Sequence, residues 1–230
     1  MTGSLASLAL AMLIFLAIHI IPSSFLRTKI VGRIGEGGYM AFFNLLSLVV
    51  FVWLIFAYQA APVGESLWDA GNAGRYIGVV LMVIASVFFV GIFTGPNPTA
   101  SGAGKLVDKE IAYTGINSIT RHPMMWAITL WALVHIINNG DAGSVIFFGG
   151  LGFLAFAGTF LIDAKKQRQL ADGWTRYAAR TSNIPFLAMA QGRATVSLKT
   201  LWWRVVLGLI LFFVFFGFHS TVIGVSPGPI

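Results

Sequence analysis

Six stretches of the chain, residues 1–26, 37–64, 76–104, 122–140, 142–162 and 205–230, contain no Asp, Glu, Lys or Arg. A helix of about 20 residues crosses the hydrocarbon of a bilayer, and an ionic group inside that layer is costly, so each stretch reads as a transmembrane helix. The expected fold is all-α, one transmembrane domain over 1–230 with six spans near 3–22, 39–60, 76–95, 122–138, 143–162 and 203–223. The composition, 57% hydrophobic and 10% charged, stands against roughly 25% charged residues in soluble domains. The longest charge-bearing connection, 163–204, has room for one amphipathic helix and a loop, too little for a core of its own. Function is therefore expected within the bundle.

A net charge of +7 would suggest a nucleic-acid partner in a soluble protein, but here the positions of the charges decide. Assigning successive loops to alternate sides puts fourteen of the fifteen basic residues together and leaves only Arg75 opposite. Short cytoplasmic loops collect Lys and Arg, so that side is expected to be cytoplasmic, with both termini outside. The expected partners are the lipid bilayer and a hydrophobic small molecule, not nucleic acid. The first stretch has neither a basic lead nor a small-residue cleavage site, and is expected to stay as a span. With no cysteine, the chain has no disulfide, thiolate metal site or Cys nucleophile.

Glycine and proline mark the joints. Gly32, Gly35, Gly37 and Gly38 fall in the first basic loop, and Gly95-Pro96-Asn97-Pro98 ends the third span. Asn138-Asn139-Gly140-Asp141 predicts a tight turn between two antiparallel helices. Gly149, Gly150, Gly152 and Gly158 offer close helix approach in the fifth span.

The chemistry-bearing side chains are few. All four histidines, His19, His122, His135 and His219, lie within charge-free runs, where an ionisable group is a functional candidate. A structural role, an imidazole hydrogen-bonded between helices, stands beside that reading. Counting along ideal helices from the basic edge puts His19 ~12 Å deep and both His135 and His219 ~21–23 Å deep, which pairs the latter two. With no intramembrane carboxylate, zinc or di-iron sites lack ligands, whereas haem needs only one or two axial imidazoles. Arg121-His122-Pro123 reads as a helix start where free amides and two basic neighbours suit a carboxylate or phosphate, or as a plain positive-inside flank. The stretch from Lys165 to Arg180, with Trp174 and Tyr177 interleaved, reads as a basic interfacial helix on lipid headgroups.

The residues His19, Ser24-Phe25-Leu26-Arg27, Thr120-Arg121-His122-Pro123, Leu130-Trp131-Ala132, His135, Asn139-Gly140-Asp141, Phe148-Gly149 and His219 near Gly224-Val225-Ser226-Pro227 resemble the NnrU family of bacterial membrane proteins. That resemblance implies a multi-pass protein of the bacterial inner membrane, linked by genetic context to denitrification, the handling of nitrite and nitric oxide. NnrU proteins are similar to the plastid zeta-carotene isomerase, which uses histidine-ligated haem b to isomerise a cis double bond of a polyene. The resemblance implies haem b, with ligands carried onto His19 and His135 and His219 in reserve. Arg27 and Arg121 are then expected to pair the propionates, with His122 assisting at the same edge. A rival resemblance, through Arg-His-Pro and Ile184-Pro185, is to membrane methyltransferases that bind S-adenosylmethionine. Those enzymes open their cytoplasmic helix with paired glutamates, where this chain has Asp163-Ala164-Lys165-Lys166.

Overall fold

A computed structural model describes residues 3–21, 25–100 and 102–229, the side chains of 25–28 excepted. Helices are the regular structure of the described residues, which contain no strand. Eight helices run in order: α1 (Leu5–Ile20), α2 (Phe25–Ala60), α3 (Gly71–Phe93), α4 (Pro123–Asn138), α5 (Ala142–Leu170), α6 (Asp172–Arg180), α7 (Leu187–Ala190) and α8 (Leu198–Ile223). Three short 3₁₀ turns, Gly104–Asp108, Glu110–Tyr113 and Gly115–Ser118, precede α4.

Among the described residues, four helices are long and apolar enough to cross a membrane: Lys29–Ala60 within α2, and α3, α5 and α8. This corrects the expected six. The first and fourth charge-free runs form helices of only 16 residues, or ~24 Å at 1.5 Å per residue, short of a ~30 Å hydrocarbon layer. Pro123 fixes the start of α4, because a proline is tolerated in the first turn and not later. The long helices present apolar side chains outward, such as Leu45, Phe56, Val80, Phe93, Phe213 and Phe215, a surface compatible with a lipid bilayer.

The glycine-rich segment expected as the first basic loop is mostly helical. α2 begins at Phe25 and continues to Ala60, interrupted at Gly35, whose φ of 73° and ψ of 169° fit glycine alone.

The chain forms two compact units, residues 1–69 with 139–151, and residues 70–138 with 152–230. In the first, α1 packs on α2, burying Leu8, Ala11, Met12 and Phe15. Gly150, at the start of α5, gives Met12 its space. Asp141 caps α5, its Oδ1 accepting the Ser144 amide at 2.9 Å, and Tyr58 stacks on Phe147 at 4.5 Å while bonding the Ser144 hydroxyl at 2.9 Å.

In the second unit α3 is central, packed on α4 and α8. Gly74 and Gly78 allow α4 to approach, and the Asn138 amide donates to the Gly74 carbonyl at 3.2 Å. Gly208 of α8 sits against Val87, so close that a Cβ there would lie 2.8 Å from the Val87 Cα. Arg204, buried at the start of α8, donates to the Thr94 hydroxyl and carbonyl at 3.1 and 2.5 Å, placing a cation on the carbonyl end of α3.

Candidate functional site

Arg121-His122-Pro123 opens α4 at one end of the second unit, and the carboxylate it meets belongs to α5. Arg121 donates through Nε to Asp163 Oδ1 and Oδ2 at 3.0 and 3.1 Å, and through Nη2 to Oδ2 at 2.5 Å. His122 Nε2 lies 2.6 Å from Asp163 Oδ1. A carboxylate only accepts, so Nε2 carries the proton and Nδ1 is the lone-pair nitrogen. His122 is 1% exposed, and its Nδ1 has no partner among the described residues. Asp163 therefore holds two donors at once, a bidentate guanidinium fork and a neutral imidazole N–H, where a lone buried carboxylate would be costly.

A loop locks this cluster in place. The Arg121 amide donates to the Ser182 carbonyl at 2.9 Å and the Phe186 amide to the Ile119 carbonyl at 2.9 Å. The Thr120 hydroxyl and the Trp126 indole N–H both donate to the Asn183 carbonyl, at 2.6 and 2.8 Å. The Asn183 amide reaches back to the Thr159 hydroxyl of α5 at 2.9 Å. Phe186 adopts φ 66°, a left-handed conformation costly for a bulky residue and tolerated here because its amide and carbonyl are both bonded.

α6, expected as part of a basic interfacial helix, turns its apolar face into the protein. Its apolar face, Trp174 and Tyr177, is buried against Val107, Ala112 and Tyr113 of the 3₁₀ segment. Burial pushes the Tyr177 phenol well above its ordinary range. Its basic face pairs with the same segment: Arg176 with Asp108 at 3.0 Å and Arg180 with Glu110 at 2.8 and 2.9 Å. That bidentate contact holds the Glu110 carboxyl below the usual range. Lys166 is buried and donates to the Ala100 carbonyl at 2.7 Å. Arg121, Arg176 and Arg180, which charge counting assigns to one side, thus each pair with a carboxylate within this unit.

The other histidines share a pattern. His19 in α1 has Nδ1 at 2.7 Å from the Phe15 carbonyl, with Phe15 and Phe43 rings around it. His135 in α4 has Nδ1 at 2.7 Å from the Trp131 carbonyl, and His219 in α8 has Nδ1 at 2.7 Å from the Val225 carbonyl. A carbonyl accepts only, so each proton is on Nδ1 and each lone pair on Nε2. His19 belongs to the first unit, His135 and His219 to the second. The Arg27 side chain lies outside the described residues.

The family model described as "NnrU protein" matches residues 7–227. The chain belongs to the NnrU family. Similar curated proteins are two named "15-cis-zeta-carotene isomerase, chloroplastic". The one from Arabidopsis thaliana is 26% identical over 196 residues, 81% of this chain and 51% of the relative. The one from Zea mays is 27% identical over 164 residues, 70% of this chain and 44% of the relative. The NnrU chain spans about half the length of the curated relatives it matches. No solved structure matches it.

The fit of a haem to this NnrU chain divides by residue. No cluster of three or more His, Cys, Asp or Glu suited to a metal ion occurs among the described residues, but axial ligation asks for one or two imidazoles. An imidazole whose Nδ1–H is fixed on a carbonyl presents Nε2 in the arrangement typical of metal-bound histidine, and His19 and His135 both have it. Arg121 fits a propionate poorly. Two of its three guanidinium nitrogens are taken by Asp163, and it lies before Pro123, from which twelve positions along an unbroken α4 lead to His135, a rise of ~18 Å, longer than the reach from a haem iron to its own propionates.

The sequence marks Asp163 only as a departure from the paired glutamates of methyltransferases, and Asn183 not at all. Asp163 carries a signal: it is the only carboxylate of α5 and directly ends one charge-free run, as Arg121 directly precedes another. Asn183 carries none, because its carbonyl does most of its work.

Proposed function

We propose that this protein is a haem b-dependent membrane enzyme that isomerises a cis double bond of a polyene, with both termini outside the bacterial inner membrane. The observation that carries the reaction is the similarity to two 15-cis-zeta-carotene isomerases, which in one case extends over 81% of this chain. The long helices with apolar exposed faces suit a hydrocarbon substrate that arrives from the bilayer. A bound haem would supply a redox-active Lewis-acid iron in an apolar setting. His19 and His135 are the proposed ligands, each on the evidence of its own helix. Their Nδ1–H bonds to Phe15 and Trp131 fix the tautomer and the ring orientation before any ligand arrives.

Arg121 and His122 have a different part from the expected one. Through Asp163 they fix where α4 begins, and with it the register of the helix that carries His135. The link to nitrite and nitric oxide metabolism belongs to the proposal at the level of genetic context and is carried by the family resemblance, whereas the relatives carry the reaction. Methyl transfer is not proposed: the single carboxylate at the relevant helix end, Asp163, is taken by Arg121 and His122.

The test is conversion of a purified 15-cis polyene by the haem-supplied protein in detergent, followed by chromatographic separation of the geometric isomers. Loss of the cis isomer with no change in mass, abolished in His135→Ala, is expected. A cis isomer that persists at the rate of a protein-free control would contradict the proposal.

A further inference from the structure

A hollow of about 450 Å³ opens beside Arg121, entirely within the second unit. Phe160 of α5, Ala179 of α6, Ile184 and Leu187 line it together with two cations, Arg121 and Arg193, and no carboxylate is among the lining residues. The two cations differ. Arg193 is spent on neutral partners: its Nη1 donates to the carbonyls of Ala178, Ala179 and Thr181, and its Nε and Nη2 to the Gln191 side chain. Its charge is not neutralised by any of them. Arg121 uses Nε and Nη2 on Asp163, and Nη1 makes no hydrogen bond among the described residues. One negative and two positive charges therefore meet at the hollow, with one guanidinium donor unspent.

The opposite wall is apolar and open. Phe160, Ile184 and Leu187 are 50%, 49% and 36% exposed. Phe160 sits three residues before Asp163 on a helix of membrane length, close to the end of the charge-free run 142–162. The volume equals that of about 15 water molecules at ~30 Å³ each, enough for a phosphate with its glycerol and too little for the chains of a lipid. A headgroup fits inside, and the tail must continue along the exposed apolar wall.

The geometry points to a binding site for an anionic phospholipid. Its phosphate takes the unspent Arg121 Nη1 and the charge of Arg193, and its glycerol fills the hollow. The first part of an acyl chain lies on Phe160, Ile184 and Leu187. Guanidinium and phosphate are matched in charge and geometry, and a zwitterionic lipid brings a cation that two arginines disfavour. The site is independent of the proposed reaction, since a neutral polyene has nothing for Arg121 to bind and no haem contact is involved.

The test is native mass spectrometry of the full chain from neutral detergent containing equal phosphatidylglycerol and phosphatidylcholine, with wild type, Ala179→Glu and Ala179→Gln. Ala179 is an exposed helix position, so both variants keep the fold while only one adds a negative charge to the hollow. Phosphatidylglycerol is expected to be retained over phosphatidylcholine by about tenfold, or ~1.4 kcal/mol. Ala179→Glu is expected to erase that preference and Ala179→Gln to keep it. Leu187→Glu, on the facing wall, should repeat the loss and covers the case in which the first variant fails to fold. Equal retention of both lipids, or an unchanged preference in both glutamate variants, would overturn the site. Displacement of the lipid by millimolar glycerol 3-phosphate would overturn the lipid assignment in favour of a soluble organophosphate.

Discussion

Replacing Asp163 by Asn should destabilise the protein more than any other single-atom exchange on α5. Asp163 receives two guanidinium nitrogens and one imidazole nitrogen, at 2.5 to 3.1 Å. The amide keeps one acceptor oxygen but points an NH₂ at a donor, leaving part of the Arg121 fork and its charge unmatched. Breaking a fully buried pair costs about 3–5 kcal/mol. Here the Arg121 and Asp163 side chains are 12% and 19% exposed, so water recovers part of that and ~2–3 kcal/mol is expected. In a chain of 230 residues, each kcal/mol lowers the midpoint by roughly 2–4 °C, which gives a fall of about 5–10 °C in thermal unfolding followed by circular dichroism in detergent. The control is Asp141→Asn on the same helix. Asp141 acts there as an N-cap, a position at which Asn serves as well as Asp, so its midpoint should stay within about 2 °C. An Asp163→Asn midpoint within about 1 °C of wild type would refute the claim that this carboxylate organises the edge.

Two further outcomes follow from the geometry. Gly208→Ala should cost ~1–3 kcal/mol by forcing α8 off Val87, whereas Gly149→Ala, with nothing within 4 Å of the added carbon, should be neutral or slightly stabilising; unfolding midpoints of the two variants decide this. Because the Arg180 contact lowers the folded-state pKa of Glu110, its contribution is present above the unfolded-state carboxylate pKa and is lost as pH falls through the folded-state value. Amide hydrogen exchange across 104–113 should therefore show a loss of protection on acidification, beyond the intrinsic pH dependence of exchange, that Glu110→Gln lacks.

The helical fold was legible because charge-free runs leave a membrane helix as the one way to satisfy the backbone. The count was less so. The runs at 1–26 and 122–140 are long enough as sequence, but the structure closes α1 at Ile20 and opens α4 at Pro123, and charge content does not report helix ends. The Gly32–Gly38 segment read as a loop because glycine is a poor helix former, yet only Gly35 leaves the helical region. At the candidate site, Arg121 and His122 were visible as an unusual tripeptide at a helix start. Their partner was not, because Asp163 is 42 positions away at the head of a lysine-bearing stretch that reads as a basic interfacial helix. Trp174 and Tyr177 were visible as an amphipathic face. Their burial in protein, rather than lipid, depended on the 3₁₀ turns at 104–118, which have no periodicity to detect. The histidines were all visible, but the common Nδ1-to-carbonyl bond that makes His19 and His135 credible ligands is a matter of rotamer and backbone.

The central claim is that His19 and His135 ligate haem. Its most direct test is the visible spectrum, oxidised and dithionite-reduced, of protein purified after expression with ample haem, beside His19→Ala, His135→Ala and His219→Ala. A Soret band in the wild type and in His219→Ala that is lost or shifted in the other two variants is the predicted result. A wild type without haem absorption, or a band unchanged in both His19→Ala and His135→Ala, would contradict it.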